Sequence, residues 1–224
     1  MNNLLTDQEI SKFAWNLYRE VSIINRALVA RRTYICPMQP LLAEVPRQST
    51  VLDIGCGNGL FLLLLAANNQ IVNAVGTDLN NQALQNAEKA MDQLVKRGAK
   101  VTIDFIHAEN TQDWPQDNCF SVVSLMDVMH HIPPKKQYTV FSEAAKRVCP
   151  GGRLLYKDMC QRPFWQATAN RLHDLIIARQ WINYVPISVI KSWALSLGFA
   201  IEKESFYSKY VYGHEKIVFK KTNN

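Results

Sequence analysis

The stretch VLDIGCGNGL, residues 51–60, sets Gly55, Gly57 and Gly59 directly behind a short apolar run that carries Asp53. Glycine at this density lets the backbone take positive φ and come close to a ligand. A tight strand-to-helix turn by itself needs one glycine, not three. A dinucleotide-binding G-x-G-x-x-G would place its third glycine at position 60, where Leu60 stands. The phosphate-binding G-x-x-x-x-G-K-[ST] has no match here. Asp53 adds negative charge to the loop, which repels a polyphosphate and attracts a cationic group.

Around this loop the chain alternates short apolar runs with amphipathic ones. Strands are predicted at 51–54, 71–77, 101–106, 120–126, 153–157, 199–204 and 216–220. Helices are predicted at about 59–68, 82–97, 134–148 and, in two pieces broken near Pro186, 163–197. Thr6 and Glu9 form a capping box, and Ile10, Phe13, Leu17, Val21, Ile24 and Leu28 follow at helical spacing, which predicts one amphipathic helix over 6–33. The segment joining the two late strands shows no helical pattern, so they are expected to run antiparallel. The fold class is α/β: a doubly wound, mostly parallel seven-stranded sheet with the last strand antiparallel, helices on both faces and an N-terminal helical cap. The expected organisation is a cap or lid over 1–47 and a Rossmann-like domain over 48–224, with a helical substrate-cap insertion at about 159–186. Ligands of such sheets sit at the carboxyl ends of the strands.

Composition narrows the class. No apolar run reaches the roughly 18 residues needed to span a bilayer, and the start MNNLLTDQEISK does not read as a secretory signal. The five cysteines, at 36, 56, 119, 149 and 160, form no CxxC pair. Free thiols in a reducing, cytoplasmic setting are the expectation. The net charge of +6 comes from scattered basic residues and reads as a solvated surface rather than a nucleic-acid patch.

The run Asp53-x-Gly55-x-Gly57-x-Gly59 resembles motif I of the class I S-adenosylmethionine-dependent methyltransferases. The resemblance extends over about 48–160. Asn118-Cys119-Phe120-Ser121-Val122-Val123 is similar to that family's F-D-x-V strand start, with Ser121 where Asp is usual. Met126-Asp127-Val128-Met129-His130-His131-Ile132-Pro133 is similar to its post-strand "LHHxP" segment, and Cys149-Pro150-Gly151-Gly152 to its "L-x-P-G-G" turn. The resemblance implies S-adenosyl-L-methionine as cofactor and S-adenosyl-L-homocysteine as product, with no metal. It implies that Asp53, Gly55, Cys56, Gly57 and Asn58 meet the amino-acid part. Asp78, 23 residues after Gly55, would accept from the ribose hydroxyls with Leu79 beside it. Glu109 would meet the adenine amino group, with Asn110 next to the ring and Met126 near the methionine part.

His131 is the candidate general base, with His130 as the other candidate and Asp127 able to orient one of them. The plainer alternative is that this segment only shapes the cofactor pocket. Asp158 is a candidate polar substrate contact. Trp165 and Trp181, with Phe164, Leu172, Leu175 and Ile176, would line an apolar acceptor pocket. His107, His173 and His214 show no metal-ligand spacing. A small hydrophobic or aromatic acceptor is expected: a polyketide, phenol, quinone precursor or lipid-like acid. Arg19, Arg26, Arg31 and Arg32 beside apolar helix faces allow a peripheral membrane or carrier-protein contact. No stable nucleic-acid partner is expected, and the pattern leaves the oligomeric state open. A nucleic-acid (RNA) methyltransferase is the alternative, but the N/D-P-P-Y signature that follows the fourth strand in enzymes acting on exocyclic amines is missing. A non-catalytic cofactor-binding protein on the same fold is the other, and binding of the methyl donor discriminates.

Overall fold

Val51, Leu52 and Ile54 form a run with no polar interruption but Asp53, and they become the fully buried centre of strand β1 (Ser49–Ile54). The computed structural model describes residues 6–116, 119–159, 183–209 and 212–223. Its sheet has seven strands in the order β3-β2-β1-β4-β5-β7-β6. The chain divides into two compact units, Met1–Trp114 and Pro115–Asn224.

In the first unit β2 (Ile71–Asp78) runs parallel to both β1 and β3 (Thr102–His107), which brings Asp53 opposite Gly76 and Asp78 opposite His107. Helix α4 (Leu60–Ala67) reads LFLLLLAA, apolar all round, and only Ala67 is not buried. Helix α5 (Asn81–Lys96) starts where Asn80 accepts from the Ala83 amide at 3.1 Å. It buries the expected face of Leu84, Ala87, Met91 and Leu94.

The single helix expected over 6–33 is two. The Thr6–Glu9 capping box opens α1 (Asp7–Leu17), and Ser22 caps a second helix, α2 (Ile23–Ile35). A short α3 (Met38–Leu42) follows. The break shifts the helical phase. Ile10, Leu17 and Val21 are buried as predicted, but Ile24 and Leu28 are 70% and 54% exposed.

In the second unit β4 (Phe120–Met126) runs parallel to β5 (Val148–Met159), and β7 (Tyr212–Lys221) is antiparallel to both β5 and β6 (Phe199–Lys209). Pro134 occupies the first turn of α6 (Pro134–Lys146), and Pro186 precedes α7 (Ile187–Ser196). β5 begins earlier than the expected Arg153, because Val148 already pairs with Phe120 and a register shift absorbs the Pro-Gly-Gly segment. The same pairing corrects the free-thiol expectation. Cys119 and Cys149 flank the Phe120–Val148 pair, lie 4.9 Å apart at Cα and form a disulfide. Among the described residues, Cys36 and Cys56 form no disulfide. No helix among the described residues is long and apolar enough to cross a membrane. Trp165, Trp181 and the other aromatic and aliphatic residues assigned to the segment 163–182 lie outside the described residues, as do Asn118 and Cys160.

Candidate active site

The glycine loop is fastened to the end of β2. The amides of Gly55 and Cys56 both donate to the carbonyl of Thr77, at 2.7 and 3.0 Å. Gly57 and Gly59 hold φ of +54° and +74°, where side-chain-bearing residues are strained. They differ in surroundings. A Cβ on Gly59 would lie 2.8–2.9 Å from Phe105 and Ala87, whereas one on Gly57 would meet nothing within 4 Å. Gly59 is therefore required by packing as well as by its φ, and Gly57 by its φ alone. Asp53 is buried within β1, at 2% exposure. The half-buried Cys56 thiol is pushed well above its usual range by burial, with Asp53 and Asp78 adding repulsion, so it stays neutral.

Asp78 locks the same loop. One carboxylate oxygen accepts from the Gly57 amide at 2.7 Å and the other from the Asn80 amide at 2.8 Å. Asn80, not Asp78, caps α5. Leu79 is exposed, and its carbonyl lies 3.0 Å from Nε2 of His107. After β3, the amides of Glu109 and Asn110 both donate to Asp113, at 2.9 and 2.8 Å, which leaves the two side chains exposed on an ordered turn.

Two residues that the sequence reading passed over hold Asn58. The Tyr18 hydroxyl donates to its backbone carbonyl at 2.5 Å, and the side chain of Asn86 donates to its side-chain oxygen at 2.9 Å. Both Tyr18 and Asn86 are buried. Burial, with Cys56 adding to it, raises the Tyr18 phenol well above 10, so it remains a donor. The only advance signal was a polar residue on the apolar face of α5, at Asn86.

In the second unit, functional groups gather where β4 and β5 end. Met126 is nearly buried. Asp127 takes a φ of +58°, and its amide donates to the Lys157 carbonyl at 2.9 Å. The Lys157 ammonium, fully buried, meets both Asp127 oxygens at 2.5 and 2.6 Å. Asp158, expected as a substrate contact, reaches a histidine. Its carboxylate contacts Nδ1 of the buried His130, accepts from the His130 amide at 3.3 Å, and accepts from the Met159 amide at 2.8 Å. The Asp158 carboxylate thus holds the Nδ1 edge of the His130 ring. His131 is exposed, its ring centroid 4.0 Å from that of His130. Gln137, also missed, donates to the carbonyls of Met129, Ile132 and Asn183 at 3.1, 3.2 and 2.8 Å and so fixes the turn carrying both histidines.

Asp127, His130 and Asp158 offer ligand atoms all within 4.8 Å of one another. Sequence spacing gave no sign of this group, because two strand ends assemble it. Lys157 already neutralises Asp127 within it.

Residues 29–204 match the model of a family described as a methyltransferase domain. The chain belongs to the class I S-adenosylmethionine-dependent methyltransferases. This methyltransferase is 30% identical over 128 residues to a 27-O-demethylrifamycin SV methyltransferase of Amycolatopsis mediterranei, covering 56% of this chain and 45% of that one. It is 33% identical over 122 residues to a phosphoethanolamine N-methyltransferase of Triticum aestivum, covering 54% of this chain and 23% of that one. The chain thus spans less than half the length of these two relatives. The magnesium protoporphyrin IX methyltransferase of Synechocystis PCC 6803, solved with bound SAH, shares the fold at a TM-score of 0.67 and 17% identity, with 96% of each chain covered. The seven strands of this methyltransferase and the antiparallel run of its last strand, β7, are as expected.

Proposed function

We propose that this methyltransferase moves a methyl group from S-adenosyl-L-methionine to a small hydrophobic or aromatic acceptor such as a polyketide, phenol, quinone precursor or lipid-like acid. The observation that carries the donor half is the Gly57–Asp78 contact. An amide at positive φ beside open space sits next to a carboxylate that keeps oxygen lone pairs available for ribose hydroxyls. The exposed Glu109 and Leu79, at the ends of β3 and β2, suit the adenine amino group and ring. The bound cofactor supplies a methyl on a sulfonium, an electrophile that reacts by in-line displacement. The two relatives are named for an O- and an N-methyl transfer, so acceptors differ across the family while the donor does not.

On the acceptor side, His131 is the residue suited to remove a proton. It is exposed, whereas the buried His130 is held by Asp158. A phenol needs such a base at neutral pH; an amine needs less help. The Lys157–Asp127 pair and Gln137 keep the turn in place and act as positioning residues. Isothermal titration with S-adenosyl-L-methionine, followed by turnover on a panel of phenols, aromatic acids and amines, tests the proposal. Donor binding that falls on Asp78→Asn, with turnover on an apolar phenol or acid, supports it. Absence of donor binding would sink it.

A further inference from the structure

Beyond the phase break between α1 and α2, apolar side chains of α2 are exposed. Ile23, Ile24 and Leu28 are 62%, 70% and 54% exposed, and Trp15 on α1 is 37% exposed. On α2, Ile24 and Leu28 lie one turn apart and lead into Arg31 and Arg32, so one stripe runs from aliphatic to basic. On α1, Lys12 and Trp15 are exposed one turn apart, and Arg19 is exposed in the turn that follows the helix. On the side of α2 away from Ile24 and Leu28, the Arg26 guanidinium stacks 4.0 Å above the Trp15 ring and donates to the Trp15 carbonyl at 2.6 Å. Helix α2, IINRALVARRTYI, carries three arginines and no acid.

An apolar stripe edged by arginines is the chemistry of a helix that lies in a membrane interface. The cations complement anionic headgroups, and the aliphatic side chains enter the acyl boundary. We infer that the exposed Ile24, Leu28, Arg31 and Arg32 face of α2 docks this protein peripherally on an anionic lipid bilayer. The inference rests on this face alone and holds whatever the methyl acceptor is. The basic, acid-free composition of α2 selects the bilayer over an uncharged apolar partner, for which the arginines would be a desolvation cost.

The test is flotation of the protein with vesicles of phosphatidylglycerol mixed with phosphatidylcholine, against vesicles of phosphatidylcholine alone. Binding to the anionic vesicles, weakened by added salt, is expected. Ile24→Glu with Leu28→Glu should reduce it to the level seen with phosphatidylcholine. Arg31→Gln with Arg32→Gln should weaken it roughly 25-fold, about fivefold for each cation removed. Both pairs are exposed, and an unchanged thermal unfolding midpoint shows that the fold is kept. Equal flotation with both lipids overturns the inference. So does binding that survives the Ile24/Leu28 substitutions, or failure to float with anionic vesicles. If the face instead served an acidic protein or lined the acceptor pocket, the substitutions would alter that binding or turnover and leave vesicle binding absent, which also overturns it.

Discussion

The Tyr18 hydroxyl donates a 2.5 Å hydrogen bond to the backbone carbonyl of Asn58, joining the end of α1 to the middle of the glycine loop. Tyr18 is fully buried, and its phenol stays protonated far beyond neutrality. Tyr18→Phe removes only the donor and keeps the ring. The loss of about 1 kcal/mol from this one bond is expected to loosen the loop and weaken S-adenosyl-L-methionine binding roughly fivefold. Titration calorimetry reads this directly, and an unchanged dissociation constant would show that the contact does not shape the loop.

The glycines should separate fold from ligand. Gly59→Ala forces a Cβ into Phe105 and Ala87 at positive φ, and about 2–4 kcal/mol of stability should be lost. Gly57→Ala meets no atom within 4 Å, so its stability cost should stay near the αL penalty of about 1–2 kcal/mol. Its larger effect should be on donor affinity. Chemical denaturation and donor titration on both variants check the contrast; equal stability losses would refute it.

His131→Ala should lower turnover on a phenolic acceptor by roughly 100-fold or more and remove the acid limb of the pH–rate profile, with donor affinity kept. Asp158→Asn should also slow turnover, because the amide no longer fixes the His130 tautomer. A pH–rate profile on His131→Ala that matches the parent protein at every pH would remove His131 as the base.

Glu215 stands opposite Asp158 across β5 and β7. Burial raises its carboxyl pKa, as do Asp158 and Glu204, against the lowering effect of Lys191. The folded state therefore binds this proton more tightly than the unfolded chain does. The resulting stability is present below the ordinary carboxylate pKa and is lost as pH rises through the raised folded value. Glu215→Gln should raise the unfolding midpoint at pH 7 and leave it unchanged at pH 4. Thermal scans at the two pH values decide, and a Gln variant no more stable than the parent at pH 7 contradicts the sign.

The Cys119–Cys149 disulfide closes a loop with a sequence separation of 30. By the chain-entropy account its loss costs roughly 3–4 kcal/mol. Replacing both cysteines with serine should lower the unfolding midpoint and abolish the effect of added reductant on it. A midpoint insensitive to reductant in the parent protein would contradict the bond.

Sequence periodicity and punctuation were enough for the strands β1 to β4, for α5 with its buried face, and for the glycine loop, because each is set by side chains within a few residues of one another. The positions of Asp78 and Glu109, the acids proposed to meet the donor, were legible for the same reason: they lie at or just past the ends of strands already marked. Contacts between residues distant in sequence were not legible. Tyr18 on Asn58, Asn86 on Asn58, Lys157 on Asp127 and Gln137 on the histidine turn all join elements 8 to 40 positions apart.

By itself the sequence determined the α/β architecture and the family, since helical and strand periods and glycine φ requirements are local properties. Only the tertiary structure decided which acid meets which histidine, that two cysteines pair, and that α2 turns Ile24 and Leu28 outward. Those outcomes depend on strand register and on the phase of a helix after a break. A shift of one residue in either would exchange the buried and exposed sets, and no short stretch of sequence records it.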